Sequence, residues 1–175
     1  HWQKSVYPKR YHSTLNVIHD GIDSKAVTPG PTAWLQIPNS DLKLQAGDEV
    51  VTYVARNLEP YRGFPVFMRS LPGILARRPK AHVVIVGGDE VSYGARLPEG
   101  RCFRLESLKE LDGSLDLSRV HFLGKVPYST FVKVLQISRV HVYLTYPFVL
   151  SWSMLEAMSA GCLIVGSCTP PVTEV

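Results

Sequence analysis

The sequence predicts an α/β domain in which helices cover both faces of a parallel sheet. Apolar stretches of strand length, rich in β-branched residues, alternate along the chain with amphipathic stretches of helix length. Strands that alternate with helices are joined by right-handed crossovers, so they form a parallel sheet. The chain has 175 residues, of which 45% are hydrophobic and 19% charged. This composition suits one soluble domain with a full core.

The N-terminal residues 1–49 precede the alternating pattern and are predicted to be a linker and extension. Residues 1–24 mix basic and aromatic side chains and are expected to be exposed, with a turn at His19, Asp20 and Gly21. Residues 28–49 are rich in Pro, Gly, Asn and Asp, which is typical of a long connection with little regular structure. The domain proper is therefore expected at residues 50–175.

The alternating part of the chain contains five candidate strands and four candidate helices. The predicted strands cover residues 50–56, 82–88, 120–124, 140–146 and 162–168. The predicted helices cover residues 63–78, 105–111 and 128–138, and a fourth runs from Ser153 to Gly161. In the first helix Pro72 is expected to introduce a kink or a break. In the fourth, Ser153 and Glu156 have the spacing of a capping box, with Ser153 as the N-cap.

The charge and cysteine content restrict the classes of partner. The net charge is +4: residues 1–49 are neutral, and the rest carries fourteen basic against ten acidic side chains. This excess is too small and too dispersed for nucleic-acid binding, but it fits a domain that holds a small polyanion. Three cysteines without a C-x-x-C pattern indicate reduced thiols in a reducing cytosol. No apolar run reaches the length of a membrane span, and no signal peptide is visible.

The ends of the chain suggest a piece of a longer protein, because it begins without Met and stops directly after a predicted strand. An exposed sheet edge in such a piece would offer a site for pairing with a second copy. His82, His121 and His141 lie near strand starts without metal-ligand spacing, so they are interpreted as packing or solvent-facing residues.

The predicted topology places a ligand site beside the first and fourth strands. In the strand order 3-2-1-4-5 the sheet reverses direction between these two strands, and ligands bind in the crevice at their carboxyl ends. Arg56 ends the first strand and Arg62 lies in the loop after it, whereas no Lys or Arg occurs from Val140 onward. Two guanidinium groups would therefore face the N-terminus of a helix, an arrangement that favours a diphosphate. The alternative interpretation is that both arginines are solvated loop charges.

Common nucleotide-binding signatures are missing from the sequence. Gly87 and Gly88 follow the second strand without forming G-x-G-x-x-G, and no acidic residue follows at the dinucleotide spacing. There is no G-x-x-x-x-G-K-[ST] motif either. These absences argue against an NAD site and a P-loop.

Four stretches give the sequence a family resemblance: VTYVARNLEPYRGF, AHVVIVGG, RVHFLGKVPYSTFVKVL, and VHVYLTYP followed by SMLEAMSAGCLIVGS. Together they resemble the donor lobe of the retaining family 4 (group 1) glycosyltransferases. The resemblance covers roughly residues 50–175 and implies a Rossmann-like lobe of the two-lobed GT-B fold. Residues 1–23 would then be similar to the segment between the lobes.

The resemblance also implies roles for single residues. Arg56 and Arg62, with Gly63 beside them, would bind and neutralise the donor diphosphate and so act in catalysis. Glu156 would hold the ribose hydroxyls. Further donor-binding positions would be the loop next to the base and the loop whose amides bind the distal phosphate; they are Lys125 and Val126, and Leu150, Ser151, Trp152 and Ser153. Phe148 stands where the family has a Glu that touches the donor sugar, which leaves the identity of the sugar open.

The implied function is retaining transfer of a sugar from a nucleoside-diphosphate sugar to an acceptor, without a metal or another cofactor. The acceptor would be a glycan or a lipid-linked molecule bound by a lobe outside this chain, so this chain alone is expected to be inactive. Such enzymes suggest cell-surface polysaccharide or glycan synthesis in the cytoplasm, with peripheral contact at the inner face of the membrane. The alternatives are a non-catalytic interaction or regulatory lobe, which Phe148 motivates, and a nucleotide-sugar epimerase of GT-B fold.

Overall fold

A computed structural model describes residues 1–19 and 21–175. Asp20, part of the predicted turn, lies outside the described residues. The strands are β1 (Trp34–Gln36), β2 (Lys43–Gln45), β3 (Val50–Asn57), β4 (His82–Gly88), β5 (Val120–Gly124), β6 (Val140–Tyr143) and β7 (Leu163–Gly166). The α-helices are α1 (Trp2–Ser5), α2 (Phe64–Arg77), α3 (Phe103–Glu110), α4 (Tyr128–Ile137), α5 (Trp152–Ser159) and α6 (Pro170–Thr173). Short 3-10 helices cover Lys9–Tyr11, Pro60–Arg62 and Leu117–Arg119.

The main sheet confirms the predicted parallel topology. Its five strands lie in the order β5-β4-β3-β6-β7, and every neighbouring pair is parallel. Counted from Val50, this is the order 3-2-1-4-5. The direction of the strand order therefore reverses between β3 and β6, where Val51 is paired with Val140.

Helices cover both faces of this sheet, as predicted. On one face, α2 and α3 pack on the central strands through a cluster that includes Tyr53, Phe67 and Ile85. On the other face, Val134 and Ile137 of α4 pack against β3 and β4. Helix α5 lies beside α4 on that second face. The buried aliphatic side chains of the central strands are thus removed from water on both sides, which is what stabilises a parallel sheet.

The region of residues 28–49 has more regular structure than the sequence predicts. Strands β1 and β2 form an antiparallel hairpin that pairs Leu35 with Leu44. Both leucines are buried in the cluster that includes Val134 of α4. The short apolar–polar alternation around Leu35 and Leu44 was the available signal. Because each strand has only three residues, packing against α4, rather than strand propensity, determines the hairpin.

The end of the chain differs from prediction in three places. Strand β6 stops at Tyr143 rather than residue 146, because the Thr145 amide donates to the Ser167 hydroxyl (2.8 Å) instead of continuing a ladder. Strand β7 is an edge strand with Leu163 and Val165 exposed, whereas a buried strand was expected. Residues after the predicted strand 162–168 form the short helix α6, which begins at Pro170 and was not predicted.

The predictions for the cysteines and for Pro72 are only partly met. All three cysteines are free thiols; Cys162 is buried, but Cys168, expected inside a buried strand, is exposed. Pro72 lies inside α2, which nevertheless continues as one helix from Phe64 to Arg77. The apolar face of α2 is buried deeply enough to hold the helix together, although Pro72 has no amide hydrogen to donate.

An apolar cavity of about 570 Å³ lies between α2 and the strands β3, β6 and β7. Together with the open edge of β7 it marks the side of the sheet that is covered least. Pairing of this edge with a second copy stays a prediction. Within the described part of the chain, no helix is both long and apolar enough to cross a membrane.

His141 makes the fold sensitive to acid. Its side chain is fully buried, Nδ1 lies 2.9 Å from the Thr52 hydroxyl, and burial lowers its pKa from 6.5 to about 4. His82 and His121 stack on each other with a nitrogen–nitrogen distance of 3.1 Å, and partial burial lowers the pKa of both. These histidines fit the predicted packing role.

We expect the free energy of unfolding to decrease as the pH falls from 6.5 towards 4. In that window the unfolded chain protonates His141 while the folded chain excludes the proton, and the difference amounts to about 2–3 kcal/mol at pH 4.5. Urea denaturation of the wild type and of His141→Asn at pH 7 and pH 4.5 measures it. The variant should lose less stability on acidification; equal losses would show that His141 is not the group responsible.

Gly63 is required where the turn after β3 meets the end of β6. It has a φ of 68°, and a Cβ atom there would overlap the Cβ of Leu144. We expect Gly63→Ala to destabilise the fold by at least about 2 kcal/mol, through left-handed strain and overpacking. Gly73, inside α2, has open space around it, so Gly73→Ala should be neutral or stabilising by about 0.5–1 kcal/mol. Thermal unfolding of the two variants measures this difference. A Gly63→Ala variant as stable as Gly73→Ala would contradict this account.

Candidate functional site

The candidate site lies in the crevice between the carboxyl ends of β3 and β6. The Pro60–Arg62 turn ends at Gly63, which packs directly on Leu144 just after β6. This close approach brings Arg62 to the segment that follows the neighbouring strand. The sequence-predicted meeting of the two turns is thus present in the structure.

Arg62 is held from both sides of the crevice. Its Nη1 donates to the Thr145 hydroxyl (3.2 Å) and lies 3.4 Å from the Tyr143 hydroxyl, while the Tyr53 hydroxyl donates to the Arg62 carbonyl (2.7 Å). Burial raises the pKa of Tyr53 well above its ordinary value, so this phenol keeps its proton. Nε and Nη2 of Arg62 have no hydrogen-bond partner among the residues the structure describes. The guanidinium is positioned and still has donors available.

Arg56 lies at the end of β3, one residue before the last, in agreement with the predicted strand 50–56. Its side chain is exposed and makes no hydrogen bond or ion pair with residues 1–19 or 21–175. It lines two cavities. The inner cavity, of about 140 Å³, also includes Arg62, Tyr93 and Ser151 in its lining. The outer cavity has a volume of about 290 Å³.

The outer cavity has a largely apolar lining that includes Val126, Tyr128 and Phe131. Lys125 also lines it, but its ammonium group is paired with Glu90, and both side chains are exposed. Because Ala55 and Arg56 line both cavities, the two adjoin. Together they reach the lower part of the size range of small-molecule sites, whereas the inner cavity alone is too small.

The start of α5 forms the other wall of the crevice. Its N-cap is Ser151, not Ser153 as predicted, and the first helical residue is Trp152. The Ser151 amide donates to the Tyr143 hydroxyl (2.8 Å), and the hydroxyls of Ser151 and Ser153 lie 3.1 Å apart. Tyr143 therefore joins the helix start to Arg62. Leu150 and Trp152, predicted at this loop, line a separate cavity of about 640 Å³ beside it.

Glu156 does not form the predicted capping box. Its carboxylate is buried and accepts a hydrogen bond from the Tyr128 hydroxyl (2.7 Å). This bond raises the pKa of Tyr128. Since Tyr128 lines the outer cavity, Glu156 lies one side chain behind that cavity in this structure.

A family model described as "Glycosyl transferases group 1" matches residues 48–175. The chain belongs to the group 1 glycosyl transferases. A comparison with curated proteins found no match.

Several solved structures of glycosyl transferases and related synthases share the fold of this domain. The C-terminal domain of the group 1 protein LpcC from Francisella tularensis has 16% identity and a TM-score of 0.63, covering 83% of this chain and 70% of that one. Sucrose-phosphate synthase from Thermosynechococcus elongatus has 24% identity and a TM-score of 0.64, covering 95% and 39%. The pneumococcal O-GlcNAc transferase GtfA, in complex with UDP and GlcNAc, has 10% identity and a TM-score of 0.55, covering 82% and 24%. The chain thus spans well under half the length of the last two proteins.

Several residues of the candidate site were missed by sequence reasoning. Tyr53 and Tyr143 lie in buried strands, where an aromatic ring is expected for packing alone. The available signal was their hydroxyl group, which needs a hydrogen-bond partner when it is buried. Thr145 was assigned to a strand, so its contact with Arg62 was not foreseen.

Glu59 is another residue of the candidate site that sequence reasoning missed. It is 1% exposed, and its Oε2 accepts the backbone amides of Ser92, Tyr93 and Gly94 at 3.0–3.2 Å. Asn57 adds a bond from Nδ2 to the Ser92 hydroxyl (2.8 Å). These contacts fix the loop after β4 to the turn after β3, so Tyr93 lies next to Arg62.

We expect Glu59→Ala to destabilise the domain by about 2 kcal/mol, because three amides lose their acceptor. Hydrogen exchange at residues 92–94 should accelerate in the same variant. Glu90→Ala is the matched control: Glu90 is exposed and makes only a surface pair with Lys125, so stability should change by less than about 0.5 kcal/mol. Urea denaturation and exchange measurements that fail to separate the two variants would contradict the anchoring role.

Proposed function

We propose that this domain binds the nucleoside-diphosphate sugar of a retaining glycosyltransferase. The observation that carries the proposal is the pair Arg56 and Arg62 at the rim of one small cavity, opposite the start of α5. Arg62 is oriented by Thr145 and Tyr143, and both arginines keep hydrogen-bond donors for an anion. Bidentate contacts between guanidinium groups and phosphates suit this geometry.

The nucleoside is assigned to the outer cavity. Its size and apolar lining suit a base, and Tyr128 with Glu156 behind it supplies polar groups for a ribose. Rotation of Tyr128 would give the ribose hydroxyls access to the Glu156 carboxylate. Lys125 would contact the ligand after its ion pair with Glu90 breaks. Because both side chains are exposed, breaking this pair costs little free energy.

The inner cavity also offers hydrogen-bond acceptors. Glu59 Oε1 and Asn57 Oδ1 are buried without a partner among the described residues, and both side chains line this cavity. A ligand that satisfies the whole lining brings anionic oxygens for the arginines and donor groups for these two oxygens. A glycosyl diphosphate carries both phosphates and hydroxyls.

The proposed chemical contribution is electrostatic. When the bond between the sugar and the distal phosphate breaks, negative charge develops on the diphosphate, and Arg56, Arg62 and the helix N-terminus stabilise it. Glu156 is excluded as a nucleophile in this scheme, since it lies buried behind Tyr128. Retention and metal-free transfer are inferred from the family resemblance, and the UDP complex of GtfA supports a nucleotide donor.

The wider role is proposed on the same resemblance. A second lobe would hold a glycan or lipid-linked acceptor, and the whole protein would act in cell-surface polysaccharide or glycan synthesis at the cytoplasmic face of the membrane. A non-catalytic lobe is the alternative that Phe148 over Arg62 favours. Sugar transfer by the longer protein, lost in Arg56→Ala, would rule that alternative out. An epimerised sugar released with free nucleotide and without acceptor would instead indicate the epimerase.

We expect calorimetric titration of this chain to show binding of at least one of UDP, GDP and ADP. Arg56→Ala and Arg62→Ala should each weaken that binding about ten- to a hundredfold, through the loss of charge-assisted hydrogen bonds. Arg77→Ala, at the far end of α2, removes the same charge and should leave affinity unchanged. Absence of binding to all three nucleotides at millimolar concentration would refute the proposed function.

A further inference from the structure

The apolar cavity beside α2 lies on the face of the sheet that this helix covers only in part. Its volume of about 570 Å³ is within the range of small-molecule sites. Val66 and Ile74 of α2 form one wall. The floor consists of side chains from β3, β6 and β7; they are Val51, Val140, Val142 and Val165. We call this space the α2 cavity.

The apolar surface of the α2 cavity is open to water. Val66 is 60% exposed and Val165 is 50% exposed. Leu163, which is paired with Val140 and is 66% exposed, continues the same surface towards the edge of the sheet. Both faces of a parallel sheet are ordinarily covered, because its strands are apolar on both sides. Covering this surface with an apolar ligand is therefore favourable.

One end of the α2 cavity carries a free guanidinium group. Arg139 directly precedes β6, and its main chain is fixed in the sheet. Its amide donates to the Val50 carbonyl (2.9 Å), and its carbonyl accepts from the Leu163 amide (3.2 Å). Arg139 is exposed, and its side chain lines the cavity without a hydrogen bond or ion pair to residues 1–19 or 21–175. The donors of this group are therefore available to a ligand.

The other two charged residues of the lining neutralise each other. Arg78 donates to Glu49 through Nε (3.1 Å to Oε2) and Nη2 (2.6 Å to Oε1), which is a bidentate ion pair. Arg139 therefore leaves one positive charge without a partner at this end of the cavity. A carboxylate carries one negative charge and matches the planar fork of a guanidinium group. A head group with two negative charges would also meet the Glu49 carboxylate.

We propose that the α2 cavity binds a fatty acid, with its alkyl chain along the floor and its carboxylate on Arg139. The chain covers the valines of β6 and β7, and the head group pairs with the free guanidinium. Arg139 precedes β6, whereas Arg56 and Arg62 lie at the carboxyl ends of the strands, at the opposite edge of the sheet. The fatty-acid site is thus separate from the proposed nucleotide site and does not depend on it.

Calorimetric titration with dodecanoate, below its critical micelle concentration, measures this binding. The chain should bind one equivalent of dodecanoate. Butanoate has the same carboxylate and a short alkyl chain, so it should bind at least about a hundredfold more weakly, because it buries much less apolar area. Equal affinities would mean that only the carboxylate is bound, and would overturn the inference.

Two variants locate the ligand. Arg139→Gln removes the charge and should weaken dodecanoate binding about tenfold. Val66→Asp places a carboxylate in the apolar wall and should weaken binding by at least the same factor. An acidic residue in the first turn of α2 favours the helix, so this variant should fold.

Arg77→Gln is the matched control for the charge. It removes one guanidinium group from an exposed residue of α2 that does not line the cavity, so the affinity for dodecanoate should stay unchanged. Thermal unfolding of all three variants checks that each is folded.

Three further results would overturn the inference. The first is the absence of dodecanoate binding at every concentration below micelle formation. The second is binding that either Arg139→Gln or Val66→Asp leaves unchanged, which would place the ligand elsewhere. The third is a dimer in sedimentation equilibrium that dissociates in Val66→Asp, which would show that a second copy covers the cavity. Nucleotide titrations of the wild type and Arg139→Gln should agree, so failure of either proposal leaves the other standing.

Discussion

The arrangement of the site depends on the contact between Gly63 and Leu144. Strands β3 and β6 are neighbours in the sheet although more than eighty residues separate their starts. The missing side chain of Gly63 lets the turn after β3 lie directly on the segment after β6. Arg62, one residue earlier, is thereby brought within hydrogen-bond distance of Thr145. Without this close approach Arg62 would lie further from Thr145 and from the start of α5.

Buried polar groups then convert this approach into a rigid site. Tyr53 and Tyr143 use their rings for the core and their hydroxyls for the arginine turn and the helix start. Glu59 joins the loop after β4 to the same turn. Each of these groups forms a hydrogen bond with a backbone group that burial would otherwise leave unpaired, so stability and site geometry depend on the same bonds. A change in one of them is expected to affect both.

The group 1 family assignment and the site geometry answer different questions. The family match and the shared fold establish a glycosyl transferase domain. Within the crevice, Phe148 and Tyr93 place aromatic rings over Arg62. Because one fold can host many specificities, the ligand has to be argued from the side chains of the site rather than from the sheet.

The sequence by itself determined the strand order, the helices on both faces, and the position of Arg56 and Arg62 at the reversal of that order. Periodicity and chain connectivity are local or topological properties, and they carry that information. Only the tertiary structure decided the hairpin at residues 34–45, the end of β6 at Tyr143, the N-cap at Ser151 and the pairing of Glu156 with Tyr128. These features depend on contacts between residues far apart in sequence. A hydroxyl or carboxylate with several local partners available takes the one that packing brings closest, and no pattern in the chain records that choice.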